Sequence, residues 1–226
     1  MEKETMLSKW CGQTWLYPVY SIGIAMLCVL LWKWNDWDTA QRLVCILSIV
    51  LPLHIFEEDT LPGGFPFMNN LAGGSPEPLV YPQNRVTNMF TNLSAVILVS
   101  VLVFFAPKLE GPAITFMSLF GIMQFIIHTK LGVQVYRLYK PRGKKTIYGP
   151  GYINTCTCLV PLSVMGIKWI LEHEYSLADF LYGLLMTFCL GFFFIVIPFL
   201  ISGKVKSQRY AFRKGDLGYF AKYHED

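Results

Sequence analysis

Six long apolar stretches follow one another along the chain, separated by short polar interruptions. They cover residues 16–32, 40–56, 86–106, 112–129, 147–171 and 177–202. Each is near the ~20 residues a membrane-crossing helix requires, with the second and fourth somewhat short. None alternates in polarity at every second residue, as the strands of a membrane barrel do. The pattern predicts an all-α polytopic membrane protein: a bundle of about six transmembrane helices over residues 1–203, then a basic tail over 204–226. Between the second and third stretches, residues 59–85 are rich in Gly and Pro and cannot be helical throughout. This segment is expected either to cover the end of the bundle, as a lid or re-entrant loop, or to be a plain connection.

Composition narrows the class further. Apolar residues make up 54% of the chain and charged residues only 15%, against about 25% charged in a soluble domain. A disordered chain, a nucleic-acid-binding module and a small secreted disulfide scaffold are all excluded. The expected partner is the lipid bilayer. With six crossings the two termini share a side, and fifteen of the 19 Lys and Arg residues fall on that side, against four on the other. The bias predicts that both termini are cytoplasmic. The cations of 137–145 and 204–214 then face anionic lipid headgroups, each contributing on the order of 1 kcal/mol of attraction. Trp15, Tyr17 and Tyr20 at one end of the first helix, Trp32, Trp34 and Trp37 at the other, and Trp169 are expected at the headgroup layer. The first stretch lacks a small-residue cleavage site and reads as a retained helix. Cys28, Cys45, Cys156, Cys158 and Cys189 fall inside apolar stretches and behave as small hydrophobes.

Polar residues are costly within such helices, so their positions are informative. The second stretch ends in HIFEE, which places Glu57 and Glu58 within one turn of His54 on a helix of about 100° per residue. Pro52 precedes this group and is expected to loosen the helix there. The third stretch carries Asn84, Asn88 and Asn92 at spacings of four, with Asn84 read as a helix cap. The fourth ends at His128, and the fifth opens with Tyr148-Gly149-Pro150-Gly151 and then Asn154 and Thr155. In the predicted topology all of these lie at one level, toward the cytoplasm. By contrast, Glu172-His173-Glu174 lies at the other end and reads as a solvated loop.

A histidine and a carboxylate at i and i+4 can share one cation. His54 and Glu58, completed by His128, form a candidate metal site, with Glu57 as general base and Asn88, Asn92 and Asn154 orienting substrate. Two imidazoles and a carboxylate suit a divalent metal, either catalytic zinc with an open position or non-haem iron, with zinc the first expectation. These residues resemble the HXXEE-domain family of bacterial integral membrane proteins. The likeness rests on His54, Glu57 and Glu58, on Pro62-Gly63-Gly64-Phe65, on His128, and on Tyr148 through Thr155. It implies a bacterial plasma-membrane protein and polar residues thought to be enzymatic, and names no reaction. The combined expectation is a metal-dependent membrane hydrolase acting on a lipid-like substrate. The alternatives are a metal-independent acid/base isomerase and a non-catalytic transporter or binding subunit.

Overall fold

All regular structure is helical among the described residues, 5–224, of this computed structural model. Six helices are long and apolar enough to cross a membrane: α1 (Leu16–Lys33), α2 (Thr39–Asp59), α4 (Arg85–Lys108), α5 (Glu110–Arg142), α6 (Tyr152–Glu172) and α7 (Leu177–Val205). A shorter helix, α3 (Phe65–Ala72), interrupts the Gly/Pro-rich segment. Starts are set by local chemistry. Asp38 caps α2 through the Gln41 amide, and Ser176 and Asp179 form a reciprocal box at α7.

The two helices that carry His54, Glu58 and His128, α2 and α5, are also the interior of the bundle: 67% and 61% of their spanning windows are buried, against 11% for α7. α2 packs on α1, α4 and α5, while α5 packs on α6 and α7. Small residues allow this close approach, with Gly121 against Ser163 and Gly166 against Ser118 where α5 meets α6. The peripheral α7 is tied to α4 by polar bonds, from Asn84 Nδ2 to Ser202 Oγ at 2.8 Å and from Thr91 Oγ1 to the Phe194 carbonyl at 2.6 Å. Such bonds within a bilayer contribute about 0.6 kcal/mol each.

Several sequence expectations are corrected here. The fourth crossing does not end at His128: its α-helix runs 30 residues, from Glu110 to Tyr139, or ~45 Å at 1.5 Å per residue, well beyond a ~30 Å hydrocarbon layer. The basic stretch after His128 stays helical because it is amphipathic. Leu131, Val135 and Tyr139 turn inward at spacings of four, while Lys130, Arg137 and Lys140 face out. The fifth helix starts at Tyr152 rather than 147. Pro52 does not interrupt α2, whose helix continues through it to Asp59. Trp15 and Trp169 are buried against the protein, the first donating Nε1 to the Gly12 carbonyl at 3.0 Å. Tyr17, Trp32 and Trp34 are exposed, as headgroup anchors would be.

The segment 59–85 is not a solvated connection, and the tail does not hang free. The extended end of α5, α3 and the tail build a second buried cluster around Phe67, Met68, Tyr139, Leu217 and Phe220. Tail amides reach back to the segment, Phe212 N–H to the Leu79 carbonyl at 2.8 Å and Tyr219 N–H to the Gly63 carbonyl at 3.0 Å. Gly64 is left-handed (φ 96°), and a Cβ there would lie 2.3 Å from the Leu217 carbonyl oxygen, so only glycine fits. Lys144 sits beneath this cap, buried over the rings of Tyr219 and Phe220 and donating to the Tyr148 carbonyl at 2.5 Å. Burial, with the charge of Lys222 added, lowers its pKa from 10.5 to about 8. The stretch 6–14 and the tail lie at the same end of the bundle, where α2 ends and α4 begins.

Candidate metal centre

The last turns of α2 place His54 and Glu58 on one face, and α5 presents His128 opposite them. His54 Nε2 lies 3.3 Å from Glu58 Oε1, and His128 Nε2 lies 3.2 Å from the same oxygen. The imidazoles meet edge to face, centroids 5.0 Å apart. All three residues are buried, at 2%, 4% and 1% exposure for His54, Glu58 and His128. One donor atom from each falls within 4.8 Å of the others, so the group could hold a metal ion.

Among the described residues, none of the four ring nitrogens of His54 and His128 makes an aligned hydrogen bond, although the Nε2 atoms stand at close range to the carboxylate. A buried donor or acceptor left unmade costs about 1–3 kcal/mol, and a buried carboxylate requires a cation or donors. The donor set fits a cation. With bonds of 2.0–2.1 Å, tetrahedral zinc ligands stand roughly 3.3 Å apart, the separation seen here between each imidazole and the carboxylate. Among the described residues the Nδ1 atoms have no acceptor, so the outer partners that usually orient histidine ligands are not found there.

Two other elements close the group in. Gly151 caps the start of α6 in a left-handed conformation (φ 87°), and a Cβ there would lie 2.3 Å from His128 Cε1. Phe65, at the start of α3, lies over His128 with centroids 4.9 Å apart and planes 34° apart. Gly151 is part of the Tyr148–Thr155 motif and Phe65 ends the Pro-Gly-Gly-Phe motif, so both later motifs serve the same three side chains.

Glu57, expected as the general base, has a different occupation. Its Oε1 accepts from the Tyr148 hydroxyl at 3.2 Å and the Ile153 amide at 3.1 Å, and its Oε2 accepts from the Asn154 amide at 2.7 Å. A carboxylate at the first amides of a helix is favoured by the helix dipole and satisfies donors that have no partner within the helix. Burial, with the charge of Glu57 beside it, holds the Tyr148 hydroxyl above the usual phenol range, so it remains a donor. Glu57 therefore clamps α6 and its preceding loop onto α2. Asn154 joins Glu57 through its backbone, and its side-chain Oδ1 is buried without a partner.

The amide ladder also divides. Asn84 caps α4. Asn88 Nδ2 donates to Asp59 Oδ1 at 2.7 Å, and Asn92 Nδ2 reaches Asp59 Oδ2 at 3.5 Å and Asn88 Oδ1 at 3.0 Å. Gln83 donates to Asn88 at 2.8 Å and accepts from Asn69 at 2.9 Å, so a row of amides runs toward Asp59. Asp59 has no role in the sequence pattern and is oriented only once α4 packs on α2. Amides at 88 and 92, on a helix that packs against α2, were the available signal. Asp59 and Asn88 line a cavity of about 530 Å³ that does not include His54, Glu58 or His128. The structure thus unites the three expected ligands and separates them from Glu57 and from the Asn88–Asn92 pair.

No curated protein and no solved structure matches the chain. Residues 45–166 match the family described as "Protein of unknown function with HXXEE motif", a span that begins and ends around this site. With more than half its length inside that match, the chain belongs to the HXXEE-motif family.

Proposed function

We propose that the chain is a membrane-embedded, metal-dependent hydrolase acting on a lipid-like substrate, with its site at the cytoplasmic end of the bundle. The observation that carries the reading is the buried convergence of His54, Glu58 and His128, both Nε2 atoms facing one carboxylate oxygen without an aligned hydrogen bond. Zinc is preferred to iron because hydrolysis needs no redox change and the donor separations suit a tetrahedral ion. A zinc ion held there would supply Lewis acidity toward an oxygen of water or substrate.

The remaining roles belong to the chain's own side chains. Glu57 holds the loop before α6 in place, and through it Gly151 against His128. Asp59 rather than Glu57 takes the proton in this proposal. Glu57 would have to release three donors to act, whereas Asp59 borders the cavity and is oriented by Asn88 and Asn92. Asn154 offers its unpaired Oδ1 to a donor on the substrate. Phe65 is flanked by Gly64 and Pro66, which line the cavity, and itself covers His128. In this proposal Phe65 turns away to admit substrate from the cavity to the three ligands.

The test is hydrolysis of ester, amide and phosphoester amphiphiles by the purified chain, with zinc and with chelator. The proposal expects turnover that chelator and Glu58→Gln both abolish and Asp59→Asn lowers at unchanged metal content. The closure by Phe65 and Gly151 favours one second reading, a non-catalytic binding subunit. Phe65→Ala separates the two: it should change turnover or KM in an enzyme, while a sealed binding site shows metal retention and no hydrolysis in either form.

A further inference from the structure

Beside the metal centre, the stretch 6–14, the end of α2, the start of α4 and the tail enclose the ~530 Å³ cavity. Its size is that of a small-molecule site, and its wall carries both signs of charge: Lys9, Arg85 and Arg213 against Asp59 and Asp216, with Trp15 and Phe212 as apolar wall. Among the described residues, neither Lys9 nor Arg85 is in an ion pair. Arg85 donates to the Ser8 carbonyl at 3.2 Å and the Arg209 carbonyl at 2.8 Å, and its Nε is buried with no acceptor. The two acids are better supplied. Asp59 accepts from Asn88, and Asp216 Oδ2 accepts from the Arg213 amide at 2.6 Å. A carboxylate has about four lone-pair sites, so each keeps capacity for a further donor.

Apolar side chains flank this polar wall. Met6, Leu7 and Trp10 are 88%, 43% and 42% exposed, and Leu61 is 68% exposed. In a protein whose neighbouring helices cross a membrane, such a flank suits acyl chains, while guanidinium and ammonium groups suit a phosphate ester. We propose that this cavity binds the zwitterionic headgroup of a phospholipid-like amphiphile, its phosphate against Lys9 and Arg85 and its amine against Asp216. That the bound amphiphile is the substrate rests on the hydrolase reading. The binding itself does not.

The test is titration of the purified full chain, in a non-ionic detergent with chelator present, by short-chain phosphatidylethanolamine. Binding is read by calorimetry and by Trp fluorescence. Short-chain phosphatidylglycerol, diacylglycerol, free phosphoethanolamine and inorganic phosphate serve as comparisons. The expected order is zwitterionic lipid first, with diacylglycerol at least about tenfold weaker. Lys9 is exposed and, among the described residues, its side chain is in no ion pair, so Lys9→Gln should fold normally and weaken binding about fivefold, in line with one exposed charge. Arg85→Gln should weaken it more, and Asp216→Asn should abolish the preference over phosphatidylglycerol. Free phosphoethanolamine binding as tightly as the lipid supports the same head chemistry from a soluble source. Inorganic phosphate or diacylglycerol binding equally well overturns the proposal, as does unchanged affinity in both Lys9→Gln and Arg85→Gln. His128→Ala should leave this binding intact. One metal per chain with no headgroup binding defeats this inference alone, and headgroup binding with no metal defeats the metal reading alone.

Discussion

Two polar clusters meet at the end of α2, and they are settled in opposite ways. Around Glu57 the protein answers its own charge: two α6 amides and a tyrosine hydroxyl supply every oxygen. Around Glu58, one residue on, the neighbours are two imidazoles that make no aligned hydrogen bond among the described residues. Both carboxylates are buried on one helical turn, so the difference does not lie in exposure. The first cluster is complete as built, and the second is complete only with a cation. Adjacent residues on a helix point about 100° apart, which is enough to send one to α6 and the other to α5.

The largest effect should come from breaking the second cluster. His54→Ala, His128→Ala and Glu58→Gln should each weaken zinc binding by at least about 100-fold, since even outer partners of metal ligands are worth 10–100-fold. Equilibrium dialysis reads this directly. Gly151→Ala removes no ligand, yet its Cβ would strike His128 at a left-handed position. Strain of this kind costs about 1–3 kcal/mol, and both a lower melting temperature and weaker metal binding should follow. Glu57→Gln should lower the melting temperature by a loss of about 1–3 kcal/mol while keeping metal. If it loses metal as Glu58→Gln does, the contrast between the clusters fails.

The smallest effect concerns the cap that covers both. Lys144 has a pKa of about 8 when the tail is docked, against an ordinary 10.5, so the undocked state binds its proton more tightly between these values. Docking should be insensitive to this group below pH 8 and should strengthen as pH rises from 8 toward 10.5. Hydrogen exchange of the tail amides, followed across that window, checks the sign, and Lys144→Met should remove the dependence.

Much of this arrangement was legible in the sequence. Six apolar runs gave the crossings, and helical spacing put His54 and Glu58 on one face. The even number of crossings brought His128 to the same level. What escaped were outcomes that depend on docking. Glu57 looked like a free base because nothing local says that the first amides of α6 will arrive at its oxygens. Asp59 drew no notice because the amides that orient it come from α4 and from a loop. The basic residues after His128 resembled a helix terminus, since exposed cations on an amphipathic continuation read the same way as cations in a loop. Trp15 gave no sign that the stretch before α1 folds over it.

The most direct test of the account is the metal content of the wild-type chain, purified in detergent, equilibrated with zinc and measured by inductively coupled plasma mass spectrometry beside His128→Ala. The account predicts close to one tightly held ion per wild-type chain and none in the variant. A folded wild-type chain that takes up no metal, or a variant that takes up as much, would contradict it.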